Sequence, residues 1–132
     1  MGFKAKADKE SSSTEVKYSM FVGRWQPLHK GHLWLINERL KEDKKVWLAI
    51  RDVEPDEKNP WTAEEILGMV HEGELKDLIV EGKVIVSIIP DIESINYGRG
   101  VGYDVIEHIP PKDIGDISAT SIREQMKKDG KL

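Results

Sequence analysis

The sequence predicts an α/β fold built on a short parallel sheet. Three apolar runs, at 18–22, 45–50 and 83–89, have the length and composition of buried strands. Stretches in which apolar residues recur at helical spacing separate these runs, and strands that alternate with helices pair in parallel. In such sheets, ligands bind beyond the carboxyl ends of the strands. We therefore expect a Rossmann-like three-layer domain whose site lies where the first strand ends.

Length and composition limit the class of protein. A chain of 132 residues has the usual size of one domain, and we assign 16–132 to a single domain and the polar residues 1–15 to a disordered tail. The chain has no cysteine, a net charge of −4 and no apolar run near the roughly 20 residues of a membrane span. These properties predict a cytoplasmic protein that binds neither nucleic acid nor membranes. Any anion must then bind in one local pocket.

Capping residues predict where one of the helices begins. Thr62 is followed by Glu65 three residues later, which is the capping-box pattern, so a helix is expected to begin at Thr62 and to end or bend near Gly73. The other expected elements are a helix over about 31–41, a turn or two over 75–79, a shorter strand over 103–109 and a final helix over 118–128.

The segment GRWQPLHKGH (23–32) leaves the first predicted strand and opens the next helix. A helix start presents unpaired N–H groups and a positive dipole end, and glycine lets the backbone approach a bulky anion. His29 and His32 are three residues apart, so both imidazoles can face one side of this helix start and donate to phosphate oxygens. Arg24 and Lys30 add positive charge nearby. The segment therefore predicts a cradle for a triphosphate.

The histidine pair has two other interpretations. The pair could be two surface histidines near a turn, with no function. It could also be part of a zinc site, but the segment offers neither a cysteine nor an acidic third ligand, which disfavours zinc. We therefore assign no metal bound by the protein itself.

Two motifs resemble one family. GRWQPLHKGH resembles the signature of the HxGH nucleotidylyltransferase superfamily, and ISATSIR (117–123) resembles its late ISSTxxR element. The Gly-Arg-x-Gln-Pro form is similar to the nicotinamide mononucleotide (NMN) adenylyltransferases of the archaeal type. NPWTAEE (59–65) and IPDIES (89–94) resemble further elements of those enzymes. The resemblance covers 18–128 and implies a minimal, cytidylyltransferase-like nucleotidylyltransferase fold.

The resemblance also implies a reaction. A phosphate oxygen of the acceptor attacks the α-phosphorus of a nucleoside triphosphate, and pyrophosphate leaves. The implied partners are a nucleoside triphosphate, ATP in preference to CTP, and a small phosphorylated metabolite, with NMN as the best candidate. Mg²⁺ would be bound mainly through the nucleotide phosphates. The same resemblance suggests a homo-oligomer.

The roles of individual residues follow from the matched motifs. The implied catalytic residues are His29, His32 and Arg123. The implied nucleotide-binding residues are Gly23, Arg24, Gln26, Lys30, Gly31, Ser118, Thr120 and Ser121. The candidates for contact with the acceptor or the base are Lys58, Asn96, Tyr97 and Arg99.

Two alternative functions stay open from the sequence. The first is the same reaction on a different pair of substrates, such as CTP with a polyol phosphate or ATP with a flavin or pantetheine phosphate. The second is a non-catalytic nucleotide-binding sensor, which would bind nucleotide without releasing pyrophosphate.

Overall fold

A computed structural model of the protein describes residues 16–100 and 102–132. The predicted disordered tail, 1–15, lies outside the described residues, and the extent of the single domain stays a prediction. In chain order the elements are β1 (Tyr18–Gly23), α1 (Lys30–Leu40), β2 (Lys45–Asp52), α2 (Ala63–Glu72), α3 (Lys76–Val80), β3 (Val84–Pro90), α4 (Lys112–Gly115) and α5 (Ala119–Lys128).

The three strands form one parallel sheet in the order β1-β2-β3. In the register of this sheet, Phe21 lies opposite Leu48, which in turn lies opposite Val86. Each strand is followed by a helix or a long connection before the next strand begins, which is the arrangement that parallel pairing requires. The predicted α/β class and short parallel sheet are confirmed.

The buried core lies against one face of the central strand. Val46, Leu48 and Ile50 alternate along β2, so their side chains share a face, and each is 0% exposed. They pack with Ile36 of α1 and Ile66 of α2. Burial of these side chains fixes the position of α1 over the sheet, and thereby the position of the helix start that follows β1.

The helix beginning at Thr62 confirms the capping-box prediction. The Thr62 hydroxyl accepts the backbone N–H of Glu65 at 3.0 Å, and a Glu65 carboxylate oxygen accepts the backbone N–H of Thr62 at 2.9 Å. The helix that follows, α2, ends at Glu72, immediately before Gly73. Sequence reasoning therefore found both ends of this helix.

The predicted strand over 103–109 is wrong. Residues 102–111 carry no regular secondary structure, and Tyr103, Val105 and Ile109 are 78%, 76% and 80% exposed. Alternating apolar residues form a strand when a neighbouring strand pairs with them, and the described sheet pairs only β1, β2 and β3. The short helix α4, which follows this segment, was not predicted. Within the described residues, no helix has both the length and the apolar character needed to cross a membrane.

Candidate functional site

The segment between β1 and α1 is organised by reciprocal hydrogen bonds between two histidines and the helix start. His29 is the N-cap of α1, with extended backbone dihedrals. Its Nδ1 accepts the backbone N–H of Gly31 at 3.1 Å, and Nδ1 of His32 accepts the backbone N–H of His29 at 3.2 Å. The pair thus performs the work of a capping box with imidazoles in place of a hydroxyl and a carboxylate. Sequence reasoning brought the two histidines together but did not foresee this cap.

These bonds determine the tautomer of both rings. A backbone N–H can only donate, so Nδ1 of each imidazole must be unprotonated and the neutral ring must carry its proton on Nε2. Burial lowers the pKa of His29. Burial, and next the neighbouring His29, lower the pKa of His32 to about 4. Near neutral pH the site therefore presents two uncharged imidazoles, each with an N–H donor that the cap leaves free.

The two rings are stacked against each other. Their centroids are 3.7 Å apart with an interplanar angle of 23°. Stacking at this distance disfavours protonation of both rings together, because the two positive charges would lie directly beside each other. The two imidazoles therefore lie face to face at the start of α1.

The Trp25 indole packs against the ring of His32, a contact to which sequence reasoning assigned no role. The indole is 9% exposed and donates through Nε1 to the carbonyl of Ala49 in β2 at 3.0 Å. The indole and the His32 ring meet nearly perpendicularly, with centroids 4.8 Å apart and an interplanar angle of 86°. The signal in the sequence was an aromatic residue two positions after a glycine that ends a strand.

The two glycines of the segment make room for its rings. A Cβ at position 31 would lie 2.9 Å from Cε1 of His29, and a Cβ at position 23 would lie 3.0 Å from the nearest atom of the Trp25 indole. A Cβ at position 31 would therefore force a shift, and one at position 23 would require the indole to give by a few tenths of an ångström. Gly23 and Gly31 had been assigned to contact with the nucleotide. The structure gives each of them a local reason to be glycine that needs no ligand.

Gln26 is a structural bridge. Its side chain is buried, 6% exposed, and its amide bonds twice to the backbone of Trp61. Nε2 donates to the Trp61 carbonyl at 2.9 Å and Oε1 accepts the Trp61 N–H at 3.2 Å. The bridge joins the histidine segment to the segment that begins α2. With both ends of its amide engaged, Gln26 acts on the site through its backbone.

The late motif meets the histidine segment through Arg123. The Arg123 guanidinium donates through Nη1 to the backbone carbonyl of Gln26, and through Nη2 to the Thr120 hydroxyl at 3.3 Å. Ser118, the N-cap of α5, accepts the backbone N–H of Ser121 at 3.1 Å. The hydroxyls of Ser118 and Ser121 also lie 2.8 Å apart in a hydrogen bond. The start of α5, with its three hydroxyls, is thus tied to the segment that carries both histidines.

The two basic residues of the histidine segment, Arg24 and Lys30, have different surroundings. Arg24 turns to the loop after β2, where Nη2 donates to the carbonyl of Glu54 at 3.1 Å and Nη1 lies 3.7 Å from a carboxylate oxygen of Asp56. Hydrogen bonds from Asn59 lower the pKa of Asp56, which keeps that carboxylate charged. Lys30 is exposed at the first position of α1. Asp56, which sequence reasoning missed, carries an Asx-turn pattern three residues before Asn59.

The candidates for the acceptor lie on exposed segments. The backbone N–H of Lys58 donates to Asp56 at 2.9 Å, and its side chain is exposed. Asn96 donates to the Ser94 hydroxyl at 2.9 Å. Tyr97 is 67% exposed, and Arg99 is exposed as well. The structure does not bring these four residues into the hydrogen-bonded network around the histidines.

The side chains around the histidines can be compared with the ligands that a metal ion requires. Among residues 16–100 and 102–132, no group of three or more His, Asp or Glu side chains could hold an ion. Mg²⁺ prefers carboxylate oxygens, phosphates and water, whereas the first donors here are imidazole and hydroxyl groups. These residues fit a magnesium ion that arrives with a nucleotide better than one held by the protein.

Several known proteins of similar sequence carry the same name, nicotinamide-nucleotide adenylyltransferase. No protein-family model matches the chain. The nicotinamide-nucleotide adenylyltransferase of Thermococcus kodakarensis is 30% identical over an alignment of 139 residues, which covers 84% of this chain and 73% of that protein. The one from Pyrobaculum arsenaticum is 34% identical over 97 residues, covering 72% of this chain and 53% of the relative.

A third curated relative and a solved structure cover less. The nicotinamide-nucleotide adenylyltransferase of Caldivirga maquilingensis is 34% identical over 77 residues, which is 43% of its length. The chain thus spans about half the length of several curated relatives that it matches. A bifunctional NMN adenylyltransferase/ADP ribose pyrophosphatase from Francisella tularensis is 35% identical with a TM-score of 0.46, over 58% of this chain and 23% of that one.

Proposed function

The chain belongs to the nicotinamide-nucleotide adenylyltransferases, and we propose that it transfers AMP from ATP to the phosphate of NMN or of a closely related phosphomonoester. The observation that carries the proposal is the stacked pair of neutral imidazoles whose Nδ1 atoms are both occupied by backbone N–H groups. This arrangement leaves two Nε2–H donors for one phosphoryl group. The proposal takes the acceptor from the named relatives and the donor geometry from this chain.

The reaction needs little acid–base chemistry. An oxygen of the acceptor phosphate, already an anion, forms a bond to the α-phosphorus of ATP while the bond from that phosphorus to the β-phosphate oxygen breaks, and pyrophosphate departs. Catalysis then consists of positioning and of stabilising charge on the α-phosphate. His29 and His32 supply the two hydrogen bonds that strengthen as that charge develops.

The second motif holds the leaving group in this proposal. The start of α5 presents the hydroxyls of Ser118, Thr120 and Ser121, and its first turn contains no acidic residue. An anion is favoured at such a helix start. Arg123 lies one turn later and keeps one guanidinium nitrogen on the Gln26 carbonyl, so it can orient the outer phosphates relative to the histidines.

The other residues of the histidine segment support the site without donating to the phosphate in this proposal. Gly23 and Gly31 accommodate the rings of Trp25 and His29. Gln26 fixes the course of the segment by its bonds to Trp61. Arg24 and Lys30 contribute positive charge at the rim, Arg24 from its position against the loop after β2. None of these side chains has to move for the histidines to donate.

Mg²⁺ enters this proposal with the triphosphate and supplies charge neutralisation on the phosphate oxygens. The acceptor contacts of Lys58, Asn96, Tyr97 and Arg99, the homo-oligomer and the cytoplasmic location stay predictions.

The test is pyrophosphate release with Mg²⁺, comparing ATP with CTP. Each nucleotide is paired with NMN and, separately, with a pool of polyol, flavin and pantetheine phosphates. Release from ATP with NMN supports the proposal. Release from the pool alone keeps the reaction class and rejects NMN. A protein that binds ATP by calorimetry and releases no pyrophosphate with any acceptor is a sensor.

A further inference from the structure

Trp25 adopts a backbone conformation that needs a cause. Its φ is 56°, in the left-handed region, which residues other than glycine and asparagine rarely adopt. Such outliers persist where the surroundings determine them and often serve a site. In this conformation the indole Nε1 donates a buried hydrogen bond to the carbonyl of Ala49, in the central strand.

The indole closes one side of the His32 ring. On that side the centroids are 4.8 Å apart and the planes nearly perpendicular, an arrangement that is attractive between aromatic rings. His29 stacks on the ring at 3.7 Å. His32 is therefore in contact with one ring anchored to the sheet and one ring anchored to the helix start.

We propose that Trp25 is a positioning residue for His32, holding its imidazole with Nδ1 on the backbone N–H of His29 and Nε2–H free for a phosphate oxygen. The hydrogen bond to Ala49 ties the indole to the central strand, and the indole transmits that rigidity to the imidazole. The consequence for turnover rests on the proposed function. The effect on the ring of His32 does not.

The titratable and charged groups near His32 are His29, Arg24 and Arg123, and Arg24 and Arg123 are each engaged with other partners. His29 is the titratable group stacked on the His32 ring. Arg24, in the same segment, is engaged with Glu54 and Asp56, and Arg123 of α5 is engaged with the Gln26 carbonyl. Removal of the indole should therefore alter His32 through lost contact and greater hydration.

The experiment is a histidine side-chain ¹⁵N NMR titration without nucleotide, on Trp25→Leu, Trp25→Phe and the control Trp47→Phe. Trp47 also donates through its indole to a partner on a neighbouring strand, Ser87 at 2.7 Å, so its variant loses a comparable hydrogen bond away from the site. In Trp25→Leu we expect the pKa of His32 to rise and its two tautomers to mix. Trp25→Phe, which keeps an aromatic ring but loses the hydrogen bond to Ala49, should fall between Trp25→Leu and the wild type in both readouts, and Trp47→Phe should match the wild type.

Turnover provides the second readout. In Trp25→Leu, kcat for pyrophosphate release should fall by about 10–100-fold with a smaller change in KM for ATP, because a misdirected donor is lost mainly from the transition state. A folded Trp25→Leu protein with the wild-type tautomer and titration of His32 overturns the proposal.

If that variant does not fold, an NMR measurement on the wild type tests the proposal instead. Cross-relaxation between indole and His32 ring protons supports the contact, and its absence at pH 7 overturns it. If the wild type shows no turnover but the Trp25 variants show the expected NMR changes, the proposed function is rejected and the positioning role of Trp25 is retained.

Discussion

Arg123 donates a hydrogen bond to the backbone carbonyl of Gln26, a residue 97 positions earlier in the chain. Gln26 itself is buried and holds the backbone of Trp61 through both ends of its amide. One arginine and one glutamine therefore connect three separate segments, namely those that follow β1, precede α2 and open α5. The site is assembled by these connections, and each can be tested separately.

Replacement of Arg123 by lysine should disconnect the late motif. A lysine ammonium cannot reproduce the planar fork that reaches Gln26 and Thr120 together. We expect pyrophosphate release to fall by about 10–100-fold, with faster hydrogen exchange at the start of α5. Lys128→Ala, in the last turn of the same helix, is the control and should leave both unchanged. Wild-type exchange in Arg123→Lys would mean that the guanidinium does not fasten the helix.

Replacement of Gln26 by methionine should cost stability. The change keeps the approximate shape of the side chain but leaves the N–H and carbonyl of Trp61 without partners, at a cost of about 2–4 kcal/mol in the free energy of unfolding. Chemical denaturation measures this loss. Gln125→Met is the matched control, because the exposed Gln125 side chain bonds to the exposed Asp129, at 3.0 Å, and its loss should change stability by less than about 0.5 kcal/mol. Equal effects of the two substitutions would remove Gln26 from its structural role.

Two glycine-to-alanine changes should affect different properties, since one should lower turnover and the other should raise stability. Ala at position 31 would place its Cβ 2.9 Å from the His29 ring, so Gly31→Ala should displace the imidazole and lower turnover by about 10²-fold. Gly68 is exposed inside α2, and a Cβ added there would have no atom within 4 Å, so Gly68→Ala should stabilise the protein by about 0.5–1 kcal/mol. Kinetics and thermal unfolding of both variants check the pair. Full activity of Gly31→Ala would show that the His29 position is not critical.

The depressed pKa values make stability depend on pH. The unfolded chain takes up a proton on His32 near its ordinary pKa of 6.5, whereas the folded chain does so only near 4. The unfolded state therefore binds more protons between these values, and stability falls as the pH drops from about 6.5 towards 4, on the order of 1–2 kcal/mol after allowance for partial exposure. Below about pH 4 this loss levels off. Urea unfolding across this range should show the slope in the wild type and a reduced slope in His32→Gln. An identical slope in both would assign it to other groups.

Sequence reasoning succeeded where a local pattern determines the structure. The apolar runs located all three strands, and Thr62 with Glu65 located the start of α2, because capping and strand burial depend on neighbouring residues. It placed His29 and His32 together for the same reason. It failed at 103–109, where the pattern of alternation has no neighbouring strand to pair with.

The long-range part of the site could not be predicted. The direction of Arg24 towards Asp56 and the contact of Trp25 with Ala49 depend on how separate segments pack. The bonds of Gln26 to the backbone of Trp61 likewise depend on segments that are distant in sequence. Residue types and spacing thus predicted that the two histidines lie together, whereas contacts such as these between separate segments depend on the folded chain.

The most direct measurement is the transfer of label from α-³²P-ATP to NMN with Mg²⁺, comparing the wild type with His29→Ala, His32→Ala and His71→Ala. His71 is the control, an exposed histidine whose ring bonds within its own helix to the Leu67 carbonyl at 2.9 Å. We predict a labelled dinucleotide from the wild type and from His71→Ala, and a rate about 10²–10³-fold lower in each of the other two variants. Label that stays in ATP with the wild type, or transfer at the wild-type rate in His29→Ala and His32→Ala, would contradict the account.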